Sequence, residues 1–378
     1  VPDVLLFVYD REFMDQVSAE YFQDVDVKLC EVRLNDAFVG GLKQPIRVTP
    51  VEILLAMENL HEVKAALTNV DTLYVNGGGY LNSLWTQPHR IALLLQILAP
   101  AVVAASMGKS VVFTANGYGP YRGDLEFFAS VFGSMSHARF ATRDTLLSPF
   151  WLGATGVPIE RTSNLPDDLL LIEQKLLARK AAVAAERGRY IVMETYMPVE
   201  HLEDNLGAFR RFASTMWEEH GVSVLFVPFN LRHGGVDQGI FLEGHVDHVE
   251  FFDISSEGYL RIEDAIALVS SAELVLSNRY HAEILALSLG VPFASVLKDV
   301  LGDKQYYYAK NVGALDGVLG NYPYDARDYF HTDYVEALEA IGADFDGIVE
   351  RQRAAYGEAI PITRPRQQAA RDAYLGEG

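Results

Sequence analysis

The segment ELVLSNRYHAEILALSLGVPFASV (273–296) decides the predicted fold. An apolar run, ELVLS, leads through Asn278 and Arg279 into a helix-forming stretch that ends at Gly290, and a second apolar run follows at once. A glycine directly after the last helical residue, with short apolar runs on both sides, is typical of a strand–helix–strand unit. Such a unit joins two parallel strands by a right-handed crossover, so the segment predicts an α/β fold.

Similar alternation extends along the chain in both directions. Strands are predicted over 4–9, 25–32, 71–77, 110–115 and 138–142, and again over 189–195, 222–228, 246–252, 273–277 and 292–297. Helices are predicted over 51–67 and 202–221. Many of the strands are nearly continuous in Val, Ile, Leu and Phe, as expected where helices cover both faces of a parallel sheet. The sequence therefore predicts doubly wound parallel sheets.

The alternation occurs twice, on either side of the Ala-, Lys- and Arg-rich segment LIEQKLLARKAAVAAERGR (171–189). We interpret this segment as a helix that joins two domains, because it has helical composition and no strand signal. The prediction is an N-terminal domain over 1–180 and a C-terminal domain over 181–350. We expect the tail, 351–378, to pack back on the surface.

The charge balance limits the classes of partner. The 378 residues include 31 Lys and Arg against 51 Asp and Glu, a net charge of −20 at pH 7. Nucleic acids and anionic membrane surfaces need clustered cations, so neither is an expected partner. A small anionic ligand would have to be held by a few local cations against this field. With 49% hydrophobic residues, the composition is that of a globular protein.

Two further features bear on the compartment. Cys30 is the single cysteine and cannot form an internal disulfide, which favours a reducing cytoplasm. The opening VPDVLLFVYD lacks the basic start of a secretory signal.

The longest apolar stretch, 91–107, is near the lower limit of about 17 residues for a membrane span, and Gln96 and Pro100 interrupt it. We expect a buried helix that is broken or kinked near Pro100.

Ligands in open α/β sheets bind beyond the carboxyl ends of strands, so the segments that follow strands are candidate sites. The first is NGGGYLNSLW (76–85). Its glycines, Gly77 and Gly78 among them, let backbone N–H groups approach a ligand closely beside Asn76. The alternative, a tight structural turn, is equally consistent with the sequence.

The second candidate is ANGYGPYRGD (115–124), which follows the predicted strand over 110–115. Its Gly and Pro residues shape a turn that leaves Asn116, Tyr118 and Tyr121 near the tip. Because it follows an adjacent strand, we expect this turn to face the same crevice as the glycine-rich turn.

The third candidate is FATRDTLLSPF (140–150), where Arg143 and Asp144 follow a short strand. An arginine there could bind a carboxylate or phosphate through two parallel hydrogen bonds. The alternative is that Asp144 caps the following helix and Arg143 forms a weak surface ion pair.

The fourth candidate is the opening of the helix within 273–296. Arg279 and His281 lie at a predicted helix N-terminus, where backbone N–H groups and the dipole favour an anion. Arg279 adds a planar fork of donors, and His281 adds a side chain that exchanges protons near neutral pH. A structural hydrogen bond is the alternative role for His281 taken alone.

The loop PFNLRHGGVDQG (228–239) follows another strand, and Arg232, His233 and Asp237 could look into the same site. The histidines of this region lack a convincing metal-ligand spacing, so we predict no metal site.

Together the segments NGGGYL, ANGYGPY, ATRD, NLPDDLLL and SNRYHAEILALSLGVP resemble the polysaccharide pyruvyltransferases, over roughly 70–315. The resemblance implies a GT-B-like fold of two Rossmann-like domains facing a central cleft. It also implies transfer of pyruvate from phosphoenolpyruvate (PEP) to hexose hydroxyls as a ketal, with PEP as co-substrate and no other cofactor.

The resemblance also implies roles for individual residues. The family's Arg-x-His hallmark corresponds to Arg279 and His281, and we assign His281 as the general acid. PEP binding is assigned to Arg279, Tyr280, Arg143 and Lys304, the last because a family lysine precedes a glycine by nine residues. The C-terminal domain is then the donor side.

The N-terminal domain is the expected acceptor side. Acceptor binding is assigned to Asn76, Gly77, Gly78, Asn116, Tyr118, Tyr121 and Asp144. VYDREFMDQ replaces the family's Asn-x-Gly-Asp element, and Asn116 stands where Gly-Gln is common, so the acceptor sugar and the hydroxyl base stay unassigned. A lipid-linked acceptor would bring a cytoplasmic enzyme to the inner face of the membrane.

Two other functions fit the same sequence. A GT-B-like glycosyltransferase with a nucleotide-sugar donor could use Arg279 and the helix N-terminus for a diphosphate. A non-catalytic member that binds a glycan or assists an assembly complex would account for the altered N-terminal half.

Overall fold

The computed structural model describes residues 4–172, 187–229, 235–255, 258–299 and 304–376. The chain divides into two compact units, Val1–Pro166 with Ala370–Gly378, and Asp167–Ala369. Most of the helix predicted over 171–189 lies outside the described residues.

The first unit is built on parallel strands joined by helices. Its elements are β1 (Val4–Val8), α1 (Arg11–Tyr21), β2 (Val27–Glu31), α2 (Asp36–Gly40), α3 (Pro50–Ala56), α4 (Leu60–Leu67), β3 (Thr72–Val75), α5 (Ile91–Ser106), β4 (Ser110–Asn116), α6 (Leu125–Gly133), β5 (Arg139–Thr142), α7 (Ser148–Ala154) and β6 (Thr162–Asn164). β1 pairs with β2, and β3, β4, β5 and β6 form a second sheet in that order. Every pairing is parallel, as predicted.

The second unit has one six-stranded parallel sheet in the order β12-β11-β10-β7-β8-β9. Its elements are β7 (Tyr190–Glu194), α8 (Val199–His220), β8 (Ser223–Phe226), α9 (Val236–His245), β9 (Val249–Phe251), α10 (Ile262–Ser270), β10 (Leu274–Ser277), α11 (Tyr280–Leu289), β11 (Phe293–Val296), α12 (Gln305–Leu319), β12 (Phe330–His331) and α13 (Tyr334–Gly376).

β7 shows why the strands of this unit are continuously apolar. Tyr190 and Val192 pack in the core on one face of the sheet, and Ile191 and Met193 pack in the core on the other. All four are almost fully buried. Burial on both faces removes the polar alternation that a half-exposed strand would show.

Every predicted strand is present, whereas the short strands β6 and β12 were missed because two or three residues carry no periodicity. The helix predicted over 51–67 is two helices, α3 and α4. The chain leaves the helical path at Met57 (φ −74°, ψ 118°). The buried amide of Asn59 then bonds the backbone, accepting from Arg33 N (3.0 Å) and donating to Glu31 O (2.7 Å).

The apolar stretch over 91–107 forms α5, which is largely buried in the core of the first unit. The helix continues through Pro100, so the expected break at that residue is wrong. Packing of α5 against α3, α4, β3 and β4 outweighs the missing N–H of the proline. Within the described chain, no helix combines the length and apolarity needed to span a membrane.

The tail predicted over 351–378 is helical through residue 376, because α13 continues across Pro361 and Pro365. Its last residues belong to the first unit. There Tyr374 is buried, its hydroxyl donates to Phe113 O (2.9 Å), and its carbonyl accepts from Arg139 Nη1 (2.8 Å).

Candidate functional site

The sheet of the second unit reverses its strand order at β7. The chain proceeds to β8 and β9 on one side of β7, and to β10, β11 and β12 on the other. β7 and β10 are neighbours, and their last residues, Glu194 and Ser277, are register partners. Open α/β sheets bind ligands at such a switch point, beyond the carboxyl ends of the strands. Arg279 and His281 follow β10 directly at this position.

Glu194 is the buried acid at this switch point, with no exposed surface. Its carboxylate accepts hydrogen bonds from Arg279 Nε (3.1 Å), Ser277 Oγ (3.1 Å) and Phe229 N (3.2 Å). Burial raises the pKa of Glu194, while the positive charges of Arg279 and Lys298 oppose that rise. Glu194 was not predicted from the sequence, although a carboxylate that ends an otherwise apolar, doubly covered strand is a usable signal.

Three contacts hold Arg279 in place. It is the N-cap residue of α11, and its backbone N–H donates to Ser277 Oγ (2.8 Å). Its Nε bonds Glu194, and its guanidinium carbon lies 2.9 Å from the centroid of the Tyr196 ring. Lys298 Nζ lies 3.4 Å from the same centroid. The end of β7 thus gathers two cations around one aromatic ring, and neither Tyr196 nor Lys298 was predicted.

His281 is the second residue of α11 and is exposed, so its imidazole can exchange protons with solvent or with a ligand. It lies edge-on to Tyr280, with 5.7 Å between ring centroids. Tyr280 itself is buried, and Lys310 Nζ lies 4.1 Å from the centroid of its ring. The predicted helix N-terminus at Arg279 and His281 is therefore present, with the histidine outward and the tyrosine inward.

The remaining donor-side residues lie elsewhere in the second unit or beyond the described residues. Lys304 is the exposed N-cap residue of α12, and its ammonium donates to Thr332 O (3.1 Å). Asp237 lies in the first turn of α9. Arg232 and His233 lie outside the described residues.

In the first unit, the two glycine-containing turns are bonded to each other. Gly117 N donates to Gly78 O (2.8 Å), and Gly119 N donates to Leu81 O (2.8 Å). A Cβ on Gly78 would overlap the Tyr80 ring, whose hydroxyl donates to the Asn76 carbonyl, so an alanine there would require the ring to move. The hydrogen bonds from Gly117 and Gly119 place the turns side by side.

Asn76 and Gly77 lie at a cavity of about 740 Å³ between β1 and β3, which Tyr80 also lines. The Tyr80 hydroxyl donates to the carbonyl of Asn76 and closes the turn. Asn116 is fully buried, and its Nδ2 donates to Thr114 O (2.9 Å). Its Oδ1 has no hydrogen-bond partner among the described residues.

Tyr118 and Tyr121 are buried in the aromatic core of the first unit rather than displayed at the tip of their turn. The Tyr121 ring stacks on Phe128 with 4.4 Å between centroids, and the Tyr118 ring meets Phe132 edge-on at 6.0 Å. Core packing accounts for both positions.

Asp144 and Arg143 are both buried at the end of β5. The Asp144 Oδ1 accepts from the backbone N–H groups of Leu146 (3.1 Å), Leu147 (2.9 Å) and Ser148 (3.0 Å), so the carboxylate caps the start of α7. Arg143 packs on Gly117, where a Cβ would lie 3.1 Å from Arg143 Nε. The capping alternative describes Asp144, whereas Arg143 is buried and not a surface residue.

Across the described ranges, no group of three or more His, Cys, Asp or Glu side chains has an arrangement that could hold a metal ion.

Several solved structures share the fold of this chain. The putative UDP-N-acetylglucosamine 2-epimerase from Listeria monocytogenes is 12% identical with a TM-score of 0.58, over 99% of this chain and 88% of that one. The UDP-GlcNAc 2-epimerase from Neisseria meningitidis, bound to UDP-GlcNAc, is 13% identical with a TM-score of 0.57, over 100% and 92%. Anabaena HepE, in complex with UDP and glucose, is 11% identical with a TM-score of 0.52, over 100% and 99%.

At these identities the likeness shows the fold alone, and it confirms the GT-B-like α/β fold. No curated protein matches the chain by sequence. A family model, described as polysaccharide pyruvyl transferase, matches residues 20–297 and so includes both glycine-containing turns, the Arg143–Asp144 pair and the opening of α11. The chain therefore belongs to the polysaccharide pyruvyl transferase family.

Proposed function

We propose that this protein transfers pyruvate from PEP to two hydroxyls of a hexose, in a glycan or glycan precursor, and releases phosphate. The observation that carries the proposal is the opening of α11, where an Arg279 fixed by Glu194 and an exposed His281 meet at a helix N-terminus. Backbone N–H groups, a guanidinium and an imidazole are the groups that an enol phosphate with a carboxylate requires.

The reaction adds one proton to the methylene carbon of PEP and removes one proton from each of the two sugar hydroxyls. Protonation of the PEP methylene carbon gives a methyl group and leaves an oxocarbenium-like centre, which the first sugar hydroxyl attacks as it loses its proton. Phosphate then leaves, and the second hydroxyl adds and loses its proton to close the ketal. His281 is the proposed general acid at carbon, a role that contributes about 10²- to 10⁴-fold to the rate.

Binding of PEP is assigned to the second unit. Arg279 and the α11 N-terminus stabilise the phosphate and carboxylate before and during loss of phosphate. Lys304 and Tyr280 stay proposed donor-binding residues. Arg143 is buried against Gly117 in the first unit, and the PEP-binding role that the sequence predicts for it stays a prediction. No cofactor beyond PEP is required by the chemistry proposed.

Binding of the acceptor is assigned to the first unit. The bonded turns and the cavity beside Asn76 and Gly77 offer polar groups and space for a sugar. Asn116 stays a proposed acceptor-side residue, because its buried Oδ1 has no hydrogen-bond partner in the part of the chain that the structure describes. A lipid-linked glycan precursor and a cytoplasmic location at the inner face of the membrane remain part of the proposal. Asp144, whose Oδ1 accepts the backbone N–H groups of Leu147 and Ser148, stays a proposed acceptor-side residue that shapes the turn.

The test is incubation with PEP and a panel of galactosides, mannosides and N-acetylmannosamine-containing lipid precursors, followed by mass spectrometry for one added pyruvate. His281→Ala and Arg279→Ala should abolish the product. His201→Ala and Arg211→Ala replace exposed residues of the same unit and serve as matched controls.

Three results would contradict the proposal. Retained product in His281→Ala would remove the general acid, and transfer from a nucleotide sugar without any from PEP would favour a glycosyltransferase. A biological role that survives both substitutions would favour a non-catalytic glycan-binding member.

A further inference from the structure

The Tyr196 ring, just after β7, has two cations against it. The Arg279 guanidinium carbon is 2.9 Å and Lys298 Nζ is 3.4 Å from its centroid, both well within the range of about 6 Å for cation–π attraction. Lys298 follows β11, and Arg279 follows β10, so three adjacent strands deliver these side chains to the same edge of the sheet. Two like charges this close repel each other unless something compensates.

Glu194 supplies part of that compensation. Its buried carboxylate is bonded to Arg279 Nε at 3.1 Å, so the charge of the arginine is balanced within the protein. The ion pair orients the guanidinium and reduces the net positive charge that it presents to a ligand. Lys298 is half-buried beside the pair and brings a second positive charge to the same ring.

Resting on the proposed function, we propose that Glu194 and Tyr196 are positioning residues for Arg279, and that Lys298 is a second anion-binding cation at this site. The ring holds the two cations at defined places and screens them from each other through its negative face. The site then takes a ligand with two separate anionic groups, one for each cation. PEP, with its phosphate and its carboxylate, belongs to this class, whereas inorganic phosphate offers only one group.

The experiment measures binding of PEP and of inorganic phosphate by isothermal titration calorimetry. Lys298→Met should weaken PEP binding by about tenfold or more, the loss expected for one charge-assisted contact, and should affect phosphate less. Arg211→Met is the matched control, because it removes one exposed positive charge from α8 of the same unit and is expected to leave PEP binding unchanged.

Variants of Tyr196 and Glu194 test positioning. Tyr196→Phe keeps the ring and should bind PEP like the natural protein. The affinity of Tyr196→Leu for PEP should fall by about three- to thirtyfold. Glu194→Gln keeps the shape but not the charge, and should raise the KM for PEP more than it lowers kcat. Circular dichroism confirms that each variant is folded. If the role of Tyr196 were confined to folding, its substitutions would change the melting temperature, but Tyr196→Phe and Tyr196→Leu would bind PEP equally well.

The outcomes separate this inference from the proposed function. If the natural protein binds PEP and both Lys298→Met and Tyr196→Leu bind it equally tightly, the two-cation arrangement is overturned while the proposed function stands. If the natural protein binds phosphate but not PEP, and Lys298→Met weakens phosphate, the anion site stands and the proposed function fails. If it binds neither ligand, both are overturned.

Discussion

Glu283, the fourth residue of α11, is a buried acid whose ionisation should affect the stability of the second unit. Glu283 is 2% exposed, and burial raises its pKa from an ordinary value of 4.5 to about 8, although the Ser295 hydroxyl and the Lys310 ammonium act in the opposite direction. The carboxyl group is therefore neutral in the folded protein at neutral pH, while it ionises in the unfolded chain.

The sign of the effect on stability follows from this difference. The folded state binds one more proton than the unfolded state between pH 4.5 and about 8, so the free energy of unfolding falls as the pH rises through that interval. Each pKa unit corresponds to about 1.4 kcal/mol, which makes the full loss on the order of 5 kcal/mol.

Glu283→Gln should remove this pH dependence of the free energy of unfolding, because the amide is neutral at every pH and has nearly the same shape as the carboxyl group. Urea denaturation, followed by far-UV circular dichroism at about pH 5, 7 and 8.5, compares the variant with the natural protein. We expect similar stability at the lowest pH, and a variant that is more stable by several kcal/mol at the highest.

Glu339→Gln, an exposed position on α13 in the same unit, is the matched control and should leave the pH dependence unchanged. If the free energy of unfolding depended on pH in the same way for Glu283→Gln and the natural protein, the prediction would be wrong, because Glu283 would then ionise equally in the folded and unfolded states.

Three further changes probe the first unit by urea denaturation. Tyr374→Phe removes the hydroxyl that bonds Phe113 O and should cost about 1 kcal/mol; no change would mean that the end of α13 does not stabilise β4. Asp144→Ala removes the acceptor for three N–H groups at the start of α7 and should cost about 1–2 kcal/mol, whereas a neutral result would argue against the capping role. Gly78→Ala places a methyl group against Tyr80 and should cost about 1–3 kcal/mol; a tolerated alanine would show that the turn can open.

The local elements of this protein could be predicted from its sequence alone. Apolar runs covered on both faces identified the strands, and Gly290, which adopts a positive φ of 68°, marked the end of α11. The opening of that helix was equally readable, because Arg279 and His281 are neighbours in the chain and their position depends only on where the helix begins. Local periodicity and capping chemistry are written in consecutive residues, so they can be read without the rest of the fold.

Which distant residues share the site could be seen only in the folded protein. Glu194, Tyr196 and Lys298 are separated in sequence, and they meet Arg279 because β7 lies beside β10 and β10 beside β11. The burial of Tyr118 in an aromatic core was equally invisible in its turn sequence. Strand order and side-chain burial follow from the packing of the whole unit, and no local pattern encodes that packing.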